Sequence, residues 1–435
     1  MSAYWHYLAE AAVSISILAA KELRTDDGCT LAAGAEPGVD FIEACAECYE
    51  AEQIEQLFCL ELPYDDRALE SDLMSYIRSN TTFNELFNPI EHKHYLVTGL
   101  ALLVSRPALA FRLAILKACL PFEYQRTIFC LSLAIFESKY CERTGREFED
   151  LFLSVLCHDI GLLDVNPHFT RLDHDPRSSI DDSDGYYSHV HHGAGFIARW
   201  ANVSEVVLRS VTQHHEIMDG TGYPSGLAGN QLAEFGQHIN LYDTLYSIFH
   251  KNYLPLNKSL ADLKPVIEIN AVTHFGAVAT RLMDLLNSAS RSPNVFFKED
   301  ELEKIEADTD SMAVYIEKAM AVIQGFTGSV GFRHDDRALF ALQNSFIHIS
   351  LAYYRLRALR EEALQACAID SDEGYLCHAR ALEDNFLSMR EIIFHINKFL
   401  YRLKLYRSGT RLELIREAAE KAVDDLAKLT VKLIR

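Results

Sequence analysis

Leu151 to Gly161 reads LFLSVLCHDIG, and its reading decides the fold. The run is apolar apart from Ser154 until it meets His158 and Asp159. A hydrophobic core accepts such a pair only when the groups are hydrogen-bonded, paired or bound to a metal. A polar doublet closing an apolar helical run therefore predicts a polar cluster set inside a helical core. Outward from this stretch the periodicity stays helical and alternating β-type runs are scarce, which predicts an all-α chain. Near the C-terminus Leu412, Ile415, Ala419, Ala422, Leu426, Leu429 and Leu433 recur at three- and four-residue steps with charges between them, as in an amphipathic bundle helix.

The 435 residues, 49% hydrophobic and 24% charged, suffice for two or three domains with real cores. Forty-one basic against 62 acidic residues give a formal charge of -21, which repels nucleic-acid polymers and anionic membrane surfaces. A phosphorylated ligand must then be held locally, by cations or metals. The apolar stretch around residues 97–122 is interrupted by Arg106, Arg112 and Lys117, so no membrane span and no signal peptide are expected, and the location is expected to be cytoplasmic. Ten scattered cysteines form no disulfide framework; reduced thiols are expected, with Cys45 and Cys48 buried and structural rather than half of a zinc site.

Eleven of the eighteen histidines fall between residues 151 and 292. Four groups stand out: His158-Asp159; His189, His191 and His192; His214-His215; and Asp243. Imidazole and carboxylate together suit a first-row transition metal, with iron, manganese or zinc all fitting. Neighbouring side chains on a helix diverge by about 100°. Each doublet is thus expected to serve two ions with a bridging carboxylate, an arrangement that supplies a metal-activated hydroxide for phosphoester hydrolysis. His168, His174, His238 and His250 read as structural or solvated.

In order along the chain, HDIG at 158–161, a His followed four residues later by Gly (His191 and Gly195), HHEIMDGTGYPSGLAG at 214–229, Asp243, and THFGAVATRLMDLL at 273–286 resemble the HD-GYP family, metal-dependent phosphodiesterases of cyclic di-GMP. The resemblance covers roughly residues 121–292. It implies an HD-superfamily helical core, while helical periodicity on either side predicts an N-terminal helical, sensor-like region over 1–120 and a C-terminal helical bundle over 293–435. It implies His158, Asp159, His191, His214, His215 and Asp243 as ligands of two divalent ions, iron or manganese before zinc, with His192 the runner-up to His191 and His189 at the surface. His158 and Asp159 carry the catalysis, while Gly222, Tyr223 and Lys251 face the substrate. Cyclic di-GMP would be opened to pGpG and on to GMP. The GYP loop is expected to dock a protein partner, and the C-terminal helices to pair two copies.

The chain departs from the family at identifiable places. Leu162 replaces a phosphate-contacting lysine, no histidine occurs in FEYQRTIF where an early ligand is expected, and His92 and His94 lie too far upstream. Gln237 and Tyr246 replace an arginine and an aspartate, and Glu123 is the carboxylate available to complete a shell. The alternative is therefore a catalytically degenerate receptor or adaptor that binds the nucleotide without turnover.

Overall fold

The computed structural model of the chain describes residues 2–170, 183–271, 276–292, 295, 301–333, 335–366, 372–410 and 412–429. It is all-α apart from two small two-stranded ribbons. His174 and His274 lie outside the described residues, as does the start of the 273–286 motif. The described chain forms two compact units: residues 1–215 with 233–246, and residues 216–232 with 247–435.

In the first unit Pro89, Pro107 and Pro121 each open a helix: Pro89–Val104, Pro107–Cys119 and Pro121–Tyr140. Proline costs nothing at this position, because its missing N–H would be unpaired there anyway. The last of these is buried along nearly its whole length, with Phe129 and Phe136 fully enclosed. Against it lies Gly145–Cys157, which buries Phe148, Leu151, Phe152 and Val155 and delivers His158 at its C-terminal end. A turn of 3₁₀ helix, Ile160–Asp164, follows. It packs on the helix His189–Trp200 so closely that a Cβ on Gly161 would lie 2.1 Å from the His189 carbonyl oxygen and 2.4 Å from the Gly193 nitrogen. Only glycine fits there.

The charges that interrupt the apolar stretch have structural partners. Arg112, buried beneath the Tyr4 and Phe196 rings, pairs with Glu55 at 2.7 Å and with Asp164 at 2.6 Å, which fixes the far end of the HDIG turn. Arg106 donates to the Ala201 carbonyl and Lys117 pairs with Asp72. The two helices carrying this stretch are bent 102° from one another, and among the described residues no single helix is long and apolar enough to cross a membrane.

The N-terminal region is less helical than its composition predicts. Ile17–Ala19 pairs antiparallel with Phe58–Leu60, and Leu23–Arg24 with Thr30–Leu31 around Gly28. Both strands of the second ribbon are two residues long, too short for a period-2 signal to register. Eight cysteines are free thiols as expected. Cys377 corrects that expectation, being disulfide-bonded; one such bond is not a framework.

The second unit is built on Leu302–Val330, Arg337–Ala366, Asp372–Gly409 and Glu413–Lys428. Met312, Ile316, Leu339, Ile396, Phe399 and Leu426 belong to one apolar core. The same unit includes the loop of residues 216–232. Buried Glu216 accepts backbone N–H groups from Ser225 at 2.6 Å and Leu227 at 2.9 Å, which closes that loop on itself. Gly220 and Gly226 both have positive φ, a backbone conformation that other residues rarely adopt. The glycines are therefore required by the turn.

Lys398 sits uneasily in this unit. The residue as a whole is only half-buried, but its amine is the deep part, and that burial lowers its pKa to about 8, with Arg402 adding to the effect. A depressed lysine pKa means that the fold penalises the charged form. The penalty is full below about pH 8 and fades as pH rises toward the unfolded value of 10.5. Lys398→Met is expected to raise stability at pH 7 by at most ~3 kcal/mol, read as a higher melting temperature. The gain over wild type should shrink in melts at pH 9.5; a constant gain would show that apolar packing of the methionine, not removal of the charge, governs the site.

Candidate metal centre

Four ligand atoms from Asp159, His189, His214 and His215 lie within 4.8 Å of one another. Asp159, His189 and His214 are buried; His215 is partly exposed as a residue, but its Nε2 is enclosed. Three histidines are aimed by one device. His158 Nδ1 contacts the Val155 carbonyl, His189 Nδ1 the Tyr186 carbonyl and His214 Nδ1 the Val211 carbonyl, each at 2.7 Å and each three residues back in the chain. A carbonyl only accepts, so each Nδ1 carries the proton. This turns each Nε2 toward the cluster, the orienting arrangement typical of metal-bound imidazole.

The doublets converge, contrary to the expectation that neighbours diverge. His158 and His214 occupy the residues that follow the last helical turns of Gly145–Cys157 and Glu205–Gln213, and Asp159 has left helical geometry altogether. The 100° rule does not hold past a helix end. The rings of His214 and His215 thus come to 4.0 Å, and His158 Nε2 stands 3.2 Å from Asp159 Oδ2.

His189 and His191 exchange the places predicted for them. His189 is fully buried, with Nε2 3.6 Å from Asp159 Oδ1 and 3.4 Å from His214 Nε2, whereas His191 and His192 are exposed. The segment HVHHGAG contains two His-x-x-x-Gly registers, His189 with Gly193 and His191 with Gly195. The first is the one that packs. Gly193 is the residue facing Gly161, and Val190, Phe196 and Ile197 continue the same buried face. That apolar face, read at helical spacing, was the available signal for His189.

Electrostatics agree with an ion site. Burial, helped by neighbouring His214, depresses the His189 pKa to about 3, and burial likewise holds His215 neutral. For His158 burial works downward, but the Asp159 carboxylate prevails and raises it; Asp159, although buried, is pulled well below the usual carboxylate range by His158. His158 Nε2 and both Asp159 oxygens are buried with no hydrogen-bond partner. Buried polar atoms left in this state are costly, and a divalent ion among them would satisfy them together. The residues present therefore fit a metal.

Beside this group stands Arg126, a cation that reading for ligands missed. Its Nη1 is 2.9 Å from Glu123 Oε2 and 3.6 Å from Asp159 Oδ2, and its Nε is 3.0 Å from Asp243 Oδ1. The guanidinium lies 5.6 Å from the Phe122 ring centroid and 5.8 Å from that of Tyr246. Asp243, predicted as a ligand, is thus held by Arg126 and stands outside the group of four. Burial raises the Glu123 pKa to about 7 against the pull of Arg126. Leu162 is wholly buried, and Tyr246 donates its hydroxyl to the Phe122 carbonyl. Among the histidines set aside, His238 contacts Glu137 at 3.2 Å, His92 caps its helix through the Asn88 carbonyl, His168 is exposed and His250 half-buried. Gly222, Tyr223 and exposed Lys251 belong to the second unit.

A cyclic di-GMP phosphodiesterase of Pseudomonas aeruginosa is 30% identical over 152 residues, 34% of this chain; the chain spans about a third, 36%, of that protein. A cyclic GMP-AMP specific phosphodiesterase of V. cholerae aligns in structure at 13% identity and TM-score 0.29, over 69% of this chain and 92% of its own. An HDG"Y"P protein from Bdellovibrio bacteriovorus aligns at 16% identity and TM-score 0.34, over 63% and 95%. Residues 122–263, which contain every member of the cluster and Arg126, match the HD domain family.

Proposed function

We propose that the chain is a metal-dependent phosphodiesterase of a cyclic dinucleotide, with cyclic di-GMP the favoured substrate and pGpG the first product. The observation that carries the reading is the convergence of Asp159, His189, His214 and His215 on one point inside an HD domain. The name of the Pseudomonas aeruginosa relative supports the choice of substrate. When bound, a transition metal, iron or manganese before zinc, supplies Lewis acidity and an activated water. The chain's part is to hold that chemistry in place. Carbonyls hold the His189 and His214 imidazoles in a fixed orientation, His158 braces Asp159, and Asp159 lies between the histidines and the guanidinium.

A second reading, a receptor that binds the nucleotide without turnover, is favoured by Leu162, whose buried apolar side chain offers the phosphate no charge. One experiment separates them. The chain is purified anaerobically, its metal is measured by elemental analysis, and the same sample is assayed for cyclic di-GMP hydrolysis beside His158→Ala and Asp159→Ala. Metal with pGpG formation, both lost in Asp159→Ala, is the expected result. Nucleotide binding without product establishes the receptor, and unchanged metal in both variants removes the ligand assignment.

A further inference from the structure

We infer that the Arg126 guanidinium takes the place of a second cation, so that this centre binds one metal ion. The inference rests on the metal-site reading above and concerns how many ions that site takes. Three carboxylates, Glu123, Asp159 and Asp243, gather around Arg126 at 2.9, 3.6 and 3.0 Å, the arrangement in which carboxylates commonly share a divalent ion. The position is built for a guanidinium. Phe122 and Tyr246 flank it, and the Tyr246 ring also contacts the Phe122 and Phe129 rings, leaving the cation nearly buried. A planar, weakly hydrated guanidinium tolerates such aromatic walls, whereas a divalent ion needs donor oxygens or nitrogens on those sides.

The donors are divided between the two cations. The four atoms that can converge on one point belong to Asp159 and three histidines, while Glu123 and Asp243 are directed at Arg126. Because the doublets converge at helix ends, they no longer call for two ions. Asp159 is shared by the metal position and the guanidinium, through opposite carboxylate oxygens. Arg126 is already neutralised by its partners and adds no net attraction for phosphate.

The test is stoichiometric and independent of turnover. The full chain is loaded with excess Mn(II), freed of unbound ion by gel filtration, and examined by elemental analysis and electron paramagnetic resonance. About one ion per chain with an isolated-ion spectrum is expected for wild type and for Arg126→Lys. Arg126→Gln, which removes the charge and offers a donor oxygen, should rise toward two ions with a spin-coupled spectrum. Two coupled ions in wild type would overturn this inference and leave the metal-site reading standing; no ion in wild type would overturn both. An Arg126→Gln chain that melts normally yet stays at one ion would also overturn it. The wild-type result decides even where that variant fails to fold.

Discussion

His189→Ala is expected to abolish metal binding, whereas His191→Ala, two residues away, leaves it unchanged. His189 contributes one of four convergent ligand atoms, is fully buried, and has its ring fixed by the Tyr186 carbonyl. Changing even the partner that orients a metal-bound histidine costs about 10–100-fold in affinity or activity, so deleting the ligand itself should cost at least the upper end of that range. His191 is exposed on the other side of the same helix. Elemental analysis of the two variants after identical loading reads the difference. Full metal in His189→Ala together with depletion in His191→Ala would restore the register taken from the family resemblance.

Gly161→Ala should be as severe through packing alone. The added methyl would sit 2.1 Å from one backbone atom and 2.4 Å from another, neither of which can swing aside as a side chain can. Ordinary overpacking costs about 1–3 kcal/mol; here the turn Ile160–Asp164 must separate from the helix His189–Trp200, and the cost should exceed that range. Because those two elements carry Asp159 at one edge and His189 at the other, the metal should be lost with the stability. Gly195→Ala, on the same helix, is the control. Its Cβ meets nothing within 4 Å, and alanine is the better helix former, so a near-neutral denaturation midpoint is expected. Equal midpoints for the two variants would remove the close approach as the reason for glycine in HDIG.

The helical class was legible because the apolar residues of segments such as Glu413–Lys428 recur at helical spacing, and the structure buries Ile415, Ala419, Ala422 and Leu426 as that spacing requires. His158, Asp159, His214 and His215 could be singled out because each doublet ends an apolar run, a place where ionisable residues are rare unless they are used. His189 was hidden by a repeat of its own spacing two residues later. Arg126 was hidden differently. Its carboxylate partner Asp243 and aromatic neighbour Tyr246 lie more than a hundred residues along the chain, and nothing local distinguishes it from a surface arginine on an i, i+3 pair with Glu123. The convergence of the doublets could not be read at all, because it depends on where each helix stops to within one residue.

The ligand imidazoles of His189 and His214, each held by a carbonyl three residues behind it, have a consequence for the life of the protein. A cage that exists before its occupant arrives gains little order on filling. Capture of the ion should then register as resistance to unfolding rather than as a change of shape, worth ~2.7 kcal/mol when free ion exceeds its dissociation constant a hundredfold. Stability differences of that size alter how much protein survives quality control in a cell. The abundance of the ion would then govern how long each molecule persists, while the architecture it leaves behind stays the same.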